Sequence, residues 1–183
     1  MIRTTTLSDP QVSAALLAGE LVVLKTDTIY GIVARASDAA AVERLYRAKF
    51  RSRDKACIVL VTTASDIPHL TEKEQSLYLA LHETRPTTVV TTARDLLTKA
   101  PHQQGTLAFR LVSGELADLI RRTGPLLAPS ANPEGLPPAT TISEAVNYFG
   151  QAVSVYVDSG QVTDAAPSRI VRFENGQVVT LRG

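Results

Sequence analysis

Short β-branched apolar runs alternate with capped amphipathic segments along the whole chain, and that interleaving restricts the fold more than any other feature. LVVLKT (21–26), ACIVLV (56–61), TTVVTT (87–92) and TLAFRLV (106–112) read as strands, with shorter ones at PLLAP (125–129) and VSVYVD (153–158). Helix signatures lie between them. Asp9-Pro10 and Gly19 bracket a helix over about 10–18, Asp38 caps another that sets Val42, Leu45 and Tyr46 on one face, and residues 114–122 form a further one. Thr71 with Glu74, and Thr141 with Glu144, make capping boxes that open helices through about 72–83 and to about Phe149. RIVRF and QVVTLR form a closing hairpin over Glu174 to Gly176. Strands and helices mixed in this order, with no repeat, imply a layered α/β fold with a mixed sheet. A length of 183 residues suits one domain over residues 1–183.

DTIYGIVARA (27–36) continues extended after a polar interruption at Asp27 and Thr28, and Gly31 there marks close approach of another group to the backbone. In TLAFRLV, Leu107, Phe109 and Leu111 point one way, and Thr106, Ala108 and Arg110 the other. Thr106 and Arg110 thus share a face, about 13 Å apart along the strand. SANPEGLPPAT (130–140), with three prolines and a glycine, is a loop of functional length, in which Ser130 and Asn132 can point the same way. The polar piece 93–105 reads as an irregular excursion, and SGQVTDAAPS (159–168) as a second turn-rich loop.

RAKFRSRDK (47–55) holds five basic residues, Arg47, Lys49, Arg51, Arg53 and Lys55, on every second position, with Asp54 the one acid. Run extended, it would present all five cations on one face; run as a helix end, the first of them would offset the helix dipole. Because the whole chain carries a formal net charge of only +1, this concentration is local, and something negative is expected against it. Cys57, the single cysteine, excludes an internal disulfide, and His69, His82 and His102 are too dispersed for metal-ligand spacing. MIRTTTLSDP lacks the apolar core of a signal peptide and no run reaches membrane-span length, so a cytoplasmic protein is expected. Walker, dinucleotide-fold, serine-elbow and zinc-helix motifs are absent.

KTDTIYG (25–31), Lys49-Phe50-Arg51 with Arg53-Asp54-Lys55, the strand residue Arg110, Ser130-Ala131-Asn132, Pro137 to Thr141, Pro167-Ser168 and Leu181-Arg182-Gly183 occur in one order and spacing. In these the chain resembles, over nearly its whole length, the YrdC/TsaC family of threonylcarbamoyl-AMP synthases, in a short form. The resemblance implies a three-layer α/β YrdC-like domain whose twisted mixed sheet makes a concave basic cavity. It implies a nucleotidyltransferase that converts L-threonine, bicarbonate and ATP to threonylcarbamoyl-adenylate and pyrophosphate. Partner proteins would use the product to modify tRNA, and Mg2+ would arrive on the nucleotide. By the same resemblance Lys49, Arg51 and Lys55 take the phosphates, while Thr106, Asn132, Thr140 and Arg182 hold the rest of ATP. Thr28, Arg110, Ser130 and Ser168 hold threonine or its carbamate, and Tyr30 walls the cavity.

Four positions depart from the family pattern. Lys25 replaces a proline, Arg85 stands where a turn glycine is common, Leu60 replaces a polar group and Arg169 a threonine. Two other readings accompany the enzyme: an RNA-binding accessory protein using the same concavity, and a nucleotide-binding regulator without turnover. In 47–55, Phe50 is the only aromatic, which speaks against stacking on single strands.

Overall fold

The β-branched runs hydrogen-bond side by side because each has backbone donors and acceptors to satisfy and an apolar face to bury on either side. The computed structural model describes residues 1–92, 101, 105–163 and 166–183. In chain order the elements are β1 (Ile2–Thr4), α1 (Pro10–Leu17), β2 (Val22–Lys25), β3 (Tyr30–Arg35), α2 (Ala39–Ala48), β4 (Ile58–Val61), α3 (Glu72–Thr84), β5 (Thr87–Thr92), β6 (Thr106–Leu111), α4 (Gly114–Thr123), β7 (Leu126–Leu127), α5 (Ile142–Phe149), β8 (Val155–Val157), β9 (Arg169–Glu174) and β10 (Gln177–Arg182). Among the described residues the strands form one mixed sheet of ten, in the order β1-β8-β2-β3-β7-β4-β6-β5-β9-β10. The α/β expectation with a mixed sheet holds. Most of the 93–105 excursion, including His102, and part of the 159–168 loop lie outside the described residues. β1, which pairs in parallel with β8, carries no signal in the sequence reading, being three residues long and partly exposed.

Local chemistry sets the helix ends. The Asp9 carboxylate accepts from Gln11 N at 2.9 Å, and Asp38 accepts from Ala40 N and Ala41 N at 2.9 and 3.0 Å. The Thr71–Glu74 box closes in both directions, with Glu74 N donating to Thr71 Oγ1 at 3.3 Å and Thr71 N to Glu74 Oε2 at 2.9 Å. The Thr141 box closes in one direction only. Glu144 N donates to Thr141 Oγ1 at 3.3 Å, but the Glu144 carboxylate accepts from Thr140, through N at 2.7 Å and Oγ1 at 3.1 Å. At Arg85 no glycine is needed, because φ −169° and ψ 144° are extended backbone open to any residue. Its guanidinium donates to Pro167 O, while Arg169 donates to Leu81 O and the Thr84 hydroxyl at the end of α3 and to the Thr87 hydroxyl at the start of β5.

Strand alternation sorts the core into two clusters. Val23, Val59, Val61, Leu107 and Phe109 pack with buried residues of α2, α3 and α5, while Val22, Leu24 and Leu60 pack with α1 and α4 on the other face. Helices therefore cover both faces, giving three layers. The α1/α4 layer is partial: α1 rests on β2, β3 and β8, and α4 on β4. Beyond β4, residues of β6, β5, β9 and β10 on that face line a cavity instead. Register puts Ala108, Val90 and Arg172 in one row across it, and Arg110, Thr88 and Ile170 in the next.

β3 meets the β7 segment through two strand pairs and a bridge between Gly31 and Ser130. A Cβ on Gly31 would lie 3.2 Å from Pro129 O and 3.3 Å from Thr26 Cγ2, so the close approach read from the sequence is real. Gly31→Ala is expected to destabilise the protein by about 1–3 kcal/mol through overpacking against backbone, which urea unfolding would measure. An unchanged midpoint would show that the Pro129 segment can yield.

Candidate active site

Three pieces of chain converge on the uncovered part of the sheet. The first is the β2–β3 turn, stitched by one hydroxyl: Thr26 Oγ1 accepts from Thr28 N at 3.2 Å and Ile29 N at 3.3 Å. This turn brings Thr28 to the cavity and Asp27 to Arg110. The second is β6, whose polar face carries Thr106 and Arg110 as its alternation requires. Arg110 is 4% exposed; its Nη2 lies 2.8 Å from Asp27 Oδ1 and 3.4 Å from Thr26 Oγ1, and its buried Nε has no hydrogen-bond partner among the described residues.

The third piece is the loop after β7. Lys49, 2% exposed, donates from Nζ to Ser130 O and Asn132 O, both at 2.5 Å. Glu134 N donates to Lys49 O at 2.7 Å, and the Glu134 carboxylate takes Ser52 N at 3.2 Å and pairs with Lys55. Ser130 Oγ donates to Asn132 Oδ1 at 2.5 Å, and Asn132 Nδ2 to Leu136 O at 2.6 Å. Burial pushes the Lys49 ammonium down to about 8 from its ordinary value near 10.5. The hydrogen bond from Lys55 holds the Glu134 carboxyl below the usual range.

The cavity measures ≈ 980 Å3, at the upper end for small-molecule sites. Thr28, Arg51, Thr106, Arg110, Ser130, Ser168 and Arg182 line it. Lys49, Lys55, Asn132 and Thr140 do not: Lys49 braces the loop through its backbone carbonyls, Lys55 is turned to Glu134, and the Asn132 amide is spent inside its own loop. Ser168 Oγ meets Thr88 Oγ1 at 2.8 Å, and Arg182 Nη2 donates to Ser168 O at 2.7 Å. Arg51 donates to Lys55 O and Ala56 O, at 3.2 and 3.0 Å. Both arginines are thereby oriented by backbone carbonyls, which are neutral.

Two expectations need correcting. Tyr30 does not wall the cavity. It is fully buried on the opposite face, donating to Gly160 O at 2.8 Å and accepting from Ser159 N at 2.9 Å, because neighbours on a strand point to opposite sides and Gly31 is the one facing the cavity. Nor do the cations of 47–55 form an extended comb. The chain closes off α2 instead: Lys49 N still donates to Leu45 O at 3.1 Å, and Arg51 N reaches back five residues to Tyr46 O at 3.0 Å around Phe50, which turns the chain at φ 52°. The winding sends Arg47 and Arg53 outward to Glu43, Lys49 inward, and Arg51 toward the cavity.

Lys25 is not among the lining residues, whereas Arg172 is, paired with Glu174. The sequence reading passed over Asp27, Thr26 and Thr88. Asp27 entered only as an interruption between strands, and no local signal pairs it with a residue 83 positions away.

The profile of the Sua5/YciO/YrdC family, described as "Telomere recombination", matches residues 14–183, and the chain belongs to that family. It is 36% identical over 195 residues to a putative threonylcarbamoyl-AMP synthase of Mycobacterium tuberculosis, covering 100% of this chain and 90% of the relative. To the threonylcarbamoyl-AMP synthase of Bacillus subtilis it is 31% identical over 185 residues, covering 96% of this chain and 54% of that longer protein. The structure of P. abyssi Sua5 complexed with L-threonine superimposes with a TM-score of 0.83 at 24% identity, over 99% of this chain and 56% of that one. E. coli YciO superimposes at 0.79 with 16% identity, over 99% and 92%. The fold is thus the YrdC-like one.

The Lys49 brace makes a prediction with a definite sign. Above pH 8 the folded protein releases the Lys49 proton while the unfolded chain still holds it, so this group adds stability as pH rises from about 8 to about 10.5. The gain is about 1 kcal/mol per pH unit. Cys57, whose thiol burial pushes up, acts in the opposite sense and feels the Lys49 charge, so the comparison of Lys49 with Lys49→Met is made in a Cys57→Ala background. Urea unfolding should show the stability of the Lys49 protein minus that of its Lys49→Met variant rising between pH 7 and 9.5; a constant difference would mean that Lys49 is not held by burial.

Proposed function

We propose that this chain makes threonylcarbamoyl-adenylate and pyrophosphate from L-threonine, bicarbonate and ATP, supplying partner proteins that modify tRNA. The observation that carries the reading is Arg110, a buried guanidinium that lines the cavity and is held by one carboxylate, that of Asp27, which suits it to receive a second. Family membership and relatives named threonylcarbamoyl-AMP synthase support it.

The chemistry explains the residue types. The threonine amine and bicarbonate lose water to give a carbamate, whose oxygen attacks the α-phosphorus of ATP as the bond to pyrophosphate breaks. A carbamate is already an anion, so no strong general base is required. The barrier is electrostatic, because one anion must approach another. Arg51 and Arg182, oriented by carbonyls on the cavity wall, would screen the triphosphate and steady the departing pyrophosphate. Lys49, within the fold, would add its charge from behind the Ser130–Asn132 loop, and Lys55 could reach phosphate only by leaving Glu134. Thr106, Asn132 and Thr140 would complete the nucleotide side, and Thr28, Ser130 and Ser168 the amino-acid side. Magnesium would travel with the triphosphate. A cytoplasmic setting is part of the same reading; no helix among the described residues is long and apolar enough to cross a membrane.

Pyrophosphate release from ATP should require threonine and bicarbonate together. ATP binding with no release, or RNA retention with no turnover, would replace this reading with the regulatory or the accessory one. Arg51→Ala should weaken ATP binding by about 2 kcal/mol, seen by calorimetry. Arg110→Ala should raise KM for threonine far more than KM for ATP; equal effects would move Arg110 out of the amino-acid site.

A further inference from the structure

A guanidinium as buried as that of Arg110 is costly unless a charge answers it. Its neighbours across the sheet, Leu60 on β4 and Thr88 on β5, are uncharged. The answering charge comes from outside the sheet, from Asp27 at the β2–β3 turn, with Oδ1 at 2.8 Å from Nη2. That turn is pinned by the Thr26 hydroxyl, which also lies 3.4 Å from the same nitrogen.

We propose that Asp27 is the positioning residue of the amino-acid site: it fixes the Arg110 guanidinium by Nη2 and so holds Arg110, which lines the cavity, in place for a substrate carboxylate. The inference rests on Arg110 being that carboxylate's partner. One fork then serves two anions, a permanent one within the protein and a transient one in the cavity. Arg110 has several rotatable bonds, and losing the permanent partner frees it to swing or to collapse on other acceptors. The carboxylate of Asp27 is 25% exposed and absent from the cavity lining, so its effect on substrate passes through Arg110.

The test uses the full chain with Asp27→Asn, which keeps shape and removes charge, and Asp27→Glu, which restores charge. Asp27→Asn should raise KM for threonine at least about tenfold while KM for ATP stays within about twofold, and Asp27→Glu should recover part of the loss. The Arg110 Nε–H signal in a nitrogen–proton correlation spectrum, assigned by its disappearance in Arg110→Lys, gives a readout independent of turnover. It should be sharp in the wild type and broadened in Asp27→Asn. Unchanged threonine KM, or equal rises for threonine and ATP, with wild-type turnover intact would overturn the positioning role while leaving the proposed reaction standing. If wild-type protein neither turns over nor binds threonine, the proposed reaction fails, and the spectrum alone decides for Asp27: a signal equally sharp in Asp27→Asn overturns its role.

Discussion

One buried ammonium joins two parts of the chain that the sequence keeps far apart. Lys49 Nζ reaches carbonyls 81 and 83 positions further on, and the loop it holds carries Ser130 to the cavity wall. Two carbonyl oxygens are poor compensation for a full charge, and the ammonium is correspondingly easier to deprotonate. Glu134 repeats the same connection outside, joining the loop to Ser52 and Lys55. The basic turn and the proline-rich loop thus form one unit, and Arg51 and Ser130 face the cavity together because of it.

The cavity itself follows from incomplete coverage of a sheet. α1 and α4 occupy one stretch of a face whose remaining strands put polar groups on it, and the polar groups follow strand alternation. Arg110 sits where that coverage stops. Its charge would be a defect under a helix; at the cavity it is answered by Asp27 from the β2–β3 turn.

What could be seen in advance divides by range. Helix starts at Asp9, Asp38 and Thr71 were legible because a cap is made by residues two or three apart. The polar face of β6 was legible because period two leaves no choice once the strand is granted. The comb at 47–55 was misjudged because alternate charges suit both an extended strand and a helix end, and only the bonds of Lys49 and Arg51 back into α2 decide between them. Tyr30, placed at the cavity wall by the resemblance alone, was misjudged because the strand turns it to the face opposite Gly31.

By itself, then, the order of residues determined the capped helices, the strand runs, the polar side of β6 and the family motifs, since each depends on neighbours within a turn or a pleat. Tertiary structure alone decided that Asp27 faces Arg110, that Lys49 braces a loop and that Lys55 is taken by Glu134. Those pairings join residues 79 to 83 positions apart, and charge or periodicity read locally holds no information about which distant partner the sheet order will supply.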